Sequence, residues 1–215
     1  CEAAGQWRPE QWRGDGSRLT LDRAHVEWGA RADVFLVGAG GGRLLLVERG
    51  ADGVDVTPED GLDRTRQLAR LSLNDAPYAD LGLSASDIER VFDALVILQA
   101  ADAVGVANRA LDMAVEYAKT RIQFDQPIGK FQALKHQLAN VAVEVEPCRP
   151  LLWRGAHVWE NEPAERARTS ALVKAHITDI AVRAARQAVE AHGGIGYTWE
   201  YPLHLWLKRA MHDAT

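Results

Sequence analysis

Apolar positions change their period near residue 85 of this chain. Before it, apolar runs are short and glycine is frequent. SRLTLD (17–22) alternates as a half-buried strand does. ADVFLVGAG (32–40) and GRLLLVER (42–49) read as two strands joined through Gly40, Gly41 and Gly42, a hairpin signal. GVDVTP (53–58) and QLARLSLND (67–75) complete a β-rich region. Its composition fits a sandwich or a barrel and does not choose between them. Beyond residue 85 the spacing is helical. Ser86 and Glu89 form an S-x-x-E capping box. Ile88, Val91, Phe92, Leu95, Leu98 and Asp102 then recur at three- and four-residue intervals, and this helix is expected to reach about Lys119. Pro127 and Gly129 mark a loop. A second helix begins near Phe131, with Leu134, Leu138, Val141 and Val145 on one face, and Pro147 and Pro150 inside it predict a kink or break. Pro163 suits the first position of a third helix, which runs to about His192. Gly193, Gly194 and Gly196 end it, and a last helix starts near Pro202. The pattern predicts an α+β chain: a partial β-barrel or sandwich over residues 1–85, then an antiparallel four-helix bundle over 86–215.

The chain has 215 residues, 47% of them hydrophobic, so a substantial core can form. Its net charge of −5, with acids and bases interspersed, argues against nucleic acid as the main partner, which would need a concentrated positive face. No run approaches the ~18 consecutive apolar residues of a membrane span, and the polar opening CEAAGQWRPEQWR lacks the apolar centre of a signal peptide. Cys1 and Cys148 make neither a disulfide framework nor a zinc site, so a reducing cytoplasmic setting is the default expectation. The chain opens in mid-pattern without methionine and is expected to be part of a longer protein.

Arg121 and Phe124 follow a long helix. A guanidinium beside an aromatic suits an anionic ligand with a flat ring, and a surface arginine beside a core phenylalanine fits the same spacing. The HGGIG run (192–196) is first a helix stop, although exposed amides of a Gly-Gly turn can also hold a pyrophosphate. His192 and His204 lack a third metal ligand at suitable spacing, so structural roles are expected and no metal site is. Trp7, Trp12 and Trp28 are expected in core or domain packing. Lys174, Arg183 and Arg186, with Glu165 and Asp179, read as a solvated helix face.

Two stretches carry a family resemblance. Leu111–Asn140 contains Y-A-x-x-R-x-x-F-x-x-P-I-x-x-F-Q, and Glu190–Ala210 contains H-G-G-x-G-x-x-x-E-Y-P. Together and in this order they resemble the C-terminal helical domain of the flavin-dependent acyl-CoA dehydrogenases. The wording is closest to the actinobacterial type acting on steroid or polyketide-like thioesters, some of which are two-subunit assemblies. The match is strong over about 86–215. Residues 1–85 resemble the later strands of the family's middle β-domain, and the family's N-terminal helical domain has no counterpart here. The resemblance implies α,β-dehydrogenation of an acyl-CoA thioester: a glutamate takes the α-proton, FAD accepts the hydride, and an electron-transfer partner reoxidises the flavin. It also implies a homo- or hetero-oligomer, dimer or tetramer, with FAD across the helical interface. Carried over by position, Arg121 binds FAD phosphate of the neighbouring subunit, Phe124 packs on the flavin or adenine side, Gln132 reaches the adenosine, and Gly193 and Gly194 give amides to the pyrophosphate. Phe92 and Asp93 match a pair that touches the CoA substrate.

The departures from the family pattern bear on the same positions. Glu190 stands where the family usually has glutamine, and Asp125 where it has glycine; each places a carboxylate near an anionic cofactor. His25, Val26 and Glu27 replace the flavin-contacting W-x-T of the β-domain. Leu95 occupies one family position of the catalytic glutamate, with Val96 where an arginine usually follows, and the commoner position of the base is expected beyond Thr215. Two alternatives therefore stand beside a dehydrogenase or dehydrogenase subunit. One is a non-catalytic partner in a heteromer, and the other a flavin-free biosynthetic protein of the same fold, in which His25 and Glu27 would be acid–base candidates.

Overall fold

The computed structural model describes residues 13–14, 18–39 and 42–215. Cys1, Trp7, Trp12, Ser17, Gly40 and Gly41 lie outside the described residues. The chain divides into two compact units, one reaching to Glu89 and the other covering Arg90–Ala214.

The first unit holds β1 (Arg13–Gly14), β2 (Arg18–Glu27), β3 (Val34–Ala39), β4 (Arg43–Glu48), β5 (Val54–Glu59), β6 (Leu68–Pro77) and β7 (Ala79–Asp80). They form two antiparallel sheets, ordered β1-β2-β6-β5 and β3-β4-β7, and no closed barrel appears among the described residues. The expected hairpin is present: β3 pairs with β4 from Val34↔Glu48 to Ala39↔Arg43. Alternation decides the core. Leu19, Leu21, Leu71 and Leu73 from one sheet and Phe35, Val37, Leu45 and Val47 from the other are buried in a single cluster. Each such side chain contributes roughly 1.5–3 kcal/mol of transfer free energy. The opposite face of the larger sheet is polar, since His25, Arg70 and Thr57 lie in one register row. One face packed and one wet is the usual economy of an antiparallel sheet.

Trp28 is not a core residue of the first unit. It ends β2 in a left-handed conformation (φ 58°) and is 42% exposed, with Arg31 5.9 Å from its ring centre.

The helices are α1 (Ala85–Thr120), α2 (Gln132–Val145), α3 (Cys148–Asn161), α4 (Arg166–His192) and α5 (Leu203–Asp213). α2 and α3 are one predicted helix, broken where expected. Pro147 cannot donate to the turn before it, whereas Pro150 falls in the first turn of α3, where an amide would lack a helical acceptor anyway. The break costs little, because Glu146 N–H still reaches the Ala142 carbonyl at 3.0 Å. The Cys148 thiol, pushed up in pKa by burial, donates to the Glu144 carbonyl at 3.5 Å. α4 packs against α2, α3 and α5, and α1 adds Ala100, Ala103, Ala107, Ala110, Ala114 and Ala118 to the same core.

Three helix details differ from the sequence reading. The capping box of α1 is Ser84 with Asp87, not Ser86 with Glu89: the Asp87 carboxylate accepts from Ser84 N–H at 3.2 Å, and Asp87 N–H donates back to Ser84 Oγ at 3.2 Å. α4 begins at Arg166, because Pro163 opens a separate turn closed by Glu165 N–H on the Glu162 carbonyl at 3.1 Å. On α1, Ile88 is buried, but Val91, Leu95 and Leu98 are 42%, 51% and 65% exposed. α1 also bears on the expectation that no apolar run approaches a membrane span. By length and composition it is long and apolar enough, with a window of mean hydropathy 1.5. Its alanines are nevertheless committed to the bundle core.

Candidate functional site

Arg121 and Phe124 after α1, Gln132 on α2, and Glu190 with the glycines at the end of α4 gather at one end of the bundle. Arg121 directly follows α1; its amide donates to the Tyr117 carbonyl at 2.8 Å, and its own carbonyl accepts from Ile128 N–H at 2.9 Å. Between those contacts, β8 (Ile122–Gln123) pairs with β9 (Gln126–Pro127). The two residues linking them, Phe124 and Asp125, both have positive φ, 52° and 60°. A two-residue link with both central φ positive is the tight hairpin turn that glycine or asparagine fills most easily. An aromatic there is strained, and the turn holds the Phe124 ring out, 86% exposed, with its edge toward Phe131 at 6.0 Å. The expectation of a possible core phenylalanine is thereby corrected. Gln132 opens α2 and lies 3.0 Å from the His136 ring.

The end of α4 comes to the same place. His192, its last residue, stacks on Tyr117 of α1 with ring centres 4.2 Å apart and 21° between planes. Tyr201 lies against the same imidazole at 4.8 Å. Gly193 then turns the chain with φ 63° and ψ −143°, a conformation that favours glycine. Gly194 follows, exposed, with open space where a side chain would stand. Gly196 instead passes close to α4: a Cβ there would meet the Val189 carbonyl at 2.9 Å and His192 Cβ at 3.2 Å. Glycine is thus required at two points of the run for different reasons.

Glu190 is exposed one turn before the glycines, and Gln137 of α2 holds it: the amide donates to the carboxylate at 3.2 Å and also to Gln187. The carboxylate therefore has a partner on α2. A helix C-terminus carries partial negative charge, so an anion seated here needs Arg121, the glycine amides and the α2 N-terminus to outweigh two such ends. The Tyr117 and Tyr201 rings and Gln137 were not assigned roles from sequence, and His192 only a structural one, although the two tyrosines and His192 lie inside the motifs. Only their packing across helices reveals what they touch.

Phe92, Asp93 and Leu95 stand elsewhere, near the start of the helix. Phe92 and Asp93 are half-buried. From Phe92 to Thr120 is 28 residues along one continuous helix, or about 42 Å at 1.5 Å per residue. His25 and Glu27 lie on the polar sheet face of the first unit, and both are engaged. His25 Nδ1 is 2.7 Å from the Glu59 carboxylate, and Arg66 donates to Glu27 at 2.8 Å. His192 and His204 are buried, as a structural role requires, and desolvation lowers both pKa values. No group of potential metal ligands occurs among the described residues.

Comparison with known proteins agrees with this architecture. Residues 87–214 match the family model "Acyl-CoA dehydrogenase, C-terminal domain", and the chain belongs to the acyl-CoA dehydrogenase family. It is 36% identical over 194 residues to acyl-CoA dehydrogenase IpdE2 of Mycobacterium tuberculosis, covering 89% of this chain and 55% of that protein. Among solved structures, a Tcur3481–Tcur3483 steroid ACAD variant superposes with a TM-score of 0.84 at 29% identity, covering 94% of this chain and 56% of that one. The ChsE4–ChsE5 complex of Mycobacterium tuberculosis superposes at 0.74 and 31% identity, covering 94% of this chain and 57% of that one. The chain thus spans about half the length of IpdE2 and of both of these structures.

Proposed function

We propose that the chain is part of a flavin-dependent acyl-CoA dehydrogenase, or a subunit of one, acting on an acyl-CoA thioester with FAD at the bundle end described above. The observation that carries this reading is the convergence there of Arg121, Phe124, Gln132 and the Gly193–Gly194 turn. The residues fit such a group. Arg121 offers a fork of donors to a phosphate, the Gly193 and Gly194 amides offer donors to the pyrophosphate, and neither glycine has a Cβ neighbour within 4 Å. Gln132 reaches the adenosine, and Phe124 presents a ring already held outward. Glu190 accepts a hydrogen bond from Gln137 at 3.2 Å, a partner on α2 for its carboxylate.

When bound, FAD supplies the acceptor for the hydride that leaves the β-carbon of the thioester. The chain's own part is to bind, orient and exclude water. Phe92 and Asp93 serve the CoA substrate. They stand about 42 Å along α1 from its far end, too far for one copy to close both groups of residues around one flavin. A second chain, like or unlike, therefore contributes the complementary half. Leu95 has no proton to exchange, so the base is a different residue, of this protein or of that second chain. An electron-transfer partner would take the electrons from a bound flavin. The residue 1–85 segment serves as part of the middle β-domain and 86–215 as the interface bundle, and the free buried thiol of Cys148 suits a reducing cytoplasm.

A second reading, a non-catalytic partner subunit, draws on Leu95 and on the two-chain ChsE4–ChsE5 relative. The visible absorption spectrum of the purified protein, alone and co-expressed with a dehydrogenase-like neighbour, separates the two. Flavin in the lone protein supports a self-sufficient site, and flavin only after co-expression supports the partner role. Flavin in neither sample would sink both and favour the flavin-free alternative. In the flavin-bearing sample Arg121→Ala is expected to lose most of its flavin on gel filtration; unchanged content would remove Arg121 from the site.

A further inference from the structure

The Tyr117–His192–Tyr201 stack ties the two halves of the candidate cofactor end together. Tyr117 sits one helical turn before Arg121, and its carbonyl accepts the Arg121 amide. His192 immediately precedes Gly193. Two phenol rings from different parts of the bundle hold the imidazole, at 4.2 and 4.8 Å. The third restraint is a hydrogen bond: Nδ1 lies 2.7 Å from the Ala188 carbonyl. A carbonyl can only accept, so Nδ1 carries the proton. Nε2 is then the bare nitrogen of a neutral ring. It is buried and has no hydrogen-bond partner among the described residues, and His192 as a whole is 4% exposed. Protonating Nε2 would create a cation and a donor with no acceptor in a dry space, which is costly.

We propose that His192 is a positioning residue: as the neutral Nδ1–H tautomer it locks the Gly193–Gly194 turn beside Arg121, and protonation releases that lock. The inference rests on the reading of this end as the FAD site for its functional consequence, but the lock itself is a property of the fold. The groups facing the imidazole are Tyr117 from α1, Tyr201 from the segment before α5, and the Ala188 carbonyl of its own helix. Glu190, the nearest carboxylate along α4, engages Gln137 of α2. Among the described residues no ion pair to the imidazole occurs, and in the chain without cofactor burial holds the pKa below the usual histidine value. The sign follows. A depressed folded-state pKa gives stability that is complete above the unfolded value of about 6.5 and is lost as pH falls through the folded one.

The test compares the full chain with His192→Phe, which keeps an aromatic in the stack but cannot titrate, and with His192→Ala, which empties it. Two readouts are taken between pH 8 and pH 5. One is FAD affinity by fluorescence titration. The other is deuterium uptake across residues 190–201 without FAD, corrected for intrinsic exchange at each pH. The unmodified chain is expected to lose affinity for FAD as pH falls and to take up deuterium faster over the same range. His192→Phe is expected to be flat in both, and His192→Ala to be weak and fast-exchanging at every pH. A His192→Phe profile that tracks the unmodified chain would overturn the proposal, as would protection in His192→Ala equal to that in the unmodified chain. If no form binds FAD even at pH 8, the cofactor reading of this end fails, and the exchange data still decide the lock.

Discussion

The two units reach a filled interior by opposite means. The β unit buries large side chains, Leu19, Leu45, Leu73 and Phe35, on alternate positions of strands whose other face is wet. The helical unit buries many alanines among its valine, isoleucine and leucine side chains. α1 and α4 commit alanine after alanine to the core, while Val91, Leu95, Leu98 and Leu172 stay on the surface. Size therefore plays a different part in each. In the first unit a truncated side chain leaves a void, and in the second an enlarged one has no room. Charge differs in the same way. On the sheet face carboxylates are met by basic side chains, Glu59 by Arg70 and the His25 ring and Glu27 by Arg66. At the bundle end the exposed carboxylate of Glu190 is met by an amide, which leaves Arg121 available for an anion.

The comparison breaks most readily in the β unit. Leu45 is fully buried, and Leu45→Ala is expected to cost about 2–5 kcal/mol, the range for a leucine truncation whose surroundings relax only in part. Chemical denaturation of the full chain measures it; a cost below about 1 kcal/mol would mean that this core closes around the void. The opposite change probes the helices. Ala181 on α4 is fully buried among alanine, valine and isoleucine side chains, and Ala181→Leu is expected to cost about 1–3 kcal/mol through overpacking. A neutral result would show slack between the helices and remove the contrast.

How much of this was legible in the sequence follows from what each signal encodes. Alternation located the start of β2 because one sheet face is dry, short apolar runs joined through glycines located β3 and β4, and Pro147 marked the α2–α3 break because a missing amide acts locally. The family motifs pointed to Arg121 and the glycines. What escaped depends on choices between equivalent local patterns or on contacts distant in sequence. The N-terminal half of α1 carries a helical stripe of leucine and valine, and the same helix carries one of alanines. Hydrophobicity alone favours the larger residues for the core, yet packing chose the smaller. His192 read as a structural histidine, which it is. Its tautomer and its two aromatic neighbours, however, come from Tyr117 on α1 and from Tyr201, and no spacing rule links these three. The Gln137 contact that engages Glu190 likewise crosses between α2 and α4.

The smallest of these effects separates two readings of the α1 start. Residues 84–89 contain two overlapping frames of the same signal, Ser84-x-x-Asp87 and Ser86-x-x-Glu89, and sequence does not say which serine keeps a non-helical backbone. In the structure Ser84 does, standing one residue before the helix begins at Ala85. Its hydroxyl donates to the Asp87 carboxylate at 2.6 Å and accepts the Asp87 amide, while its own amide donates to that carboxylate. Ser84→Ala removes the hydroxyl half of this exchange and is expected to cost about 1 kcal/mol. Ser86 lies inside the first turn, where alanine is the better helix former, so Ser86→Ala is expected to be neutral or slightly stabilising. Both are measured by denaturation midpoints under one condition. If Ser86→Ala is the costlier change, the helix begins two residues later than Ala85 and the reading from sequence stands.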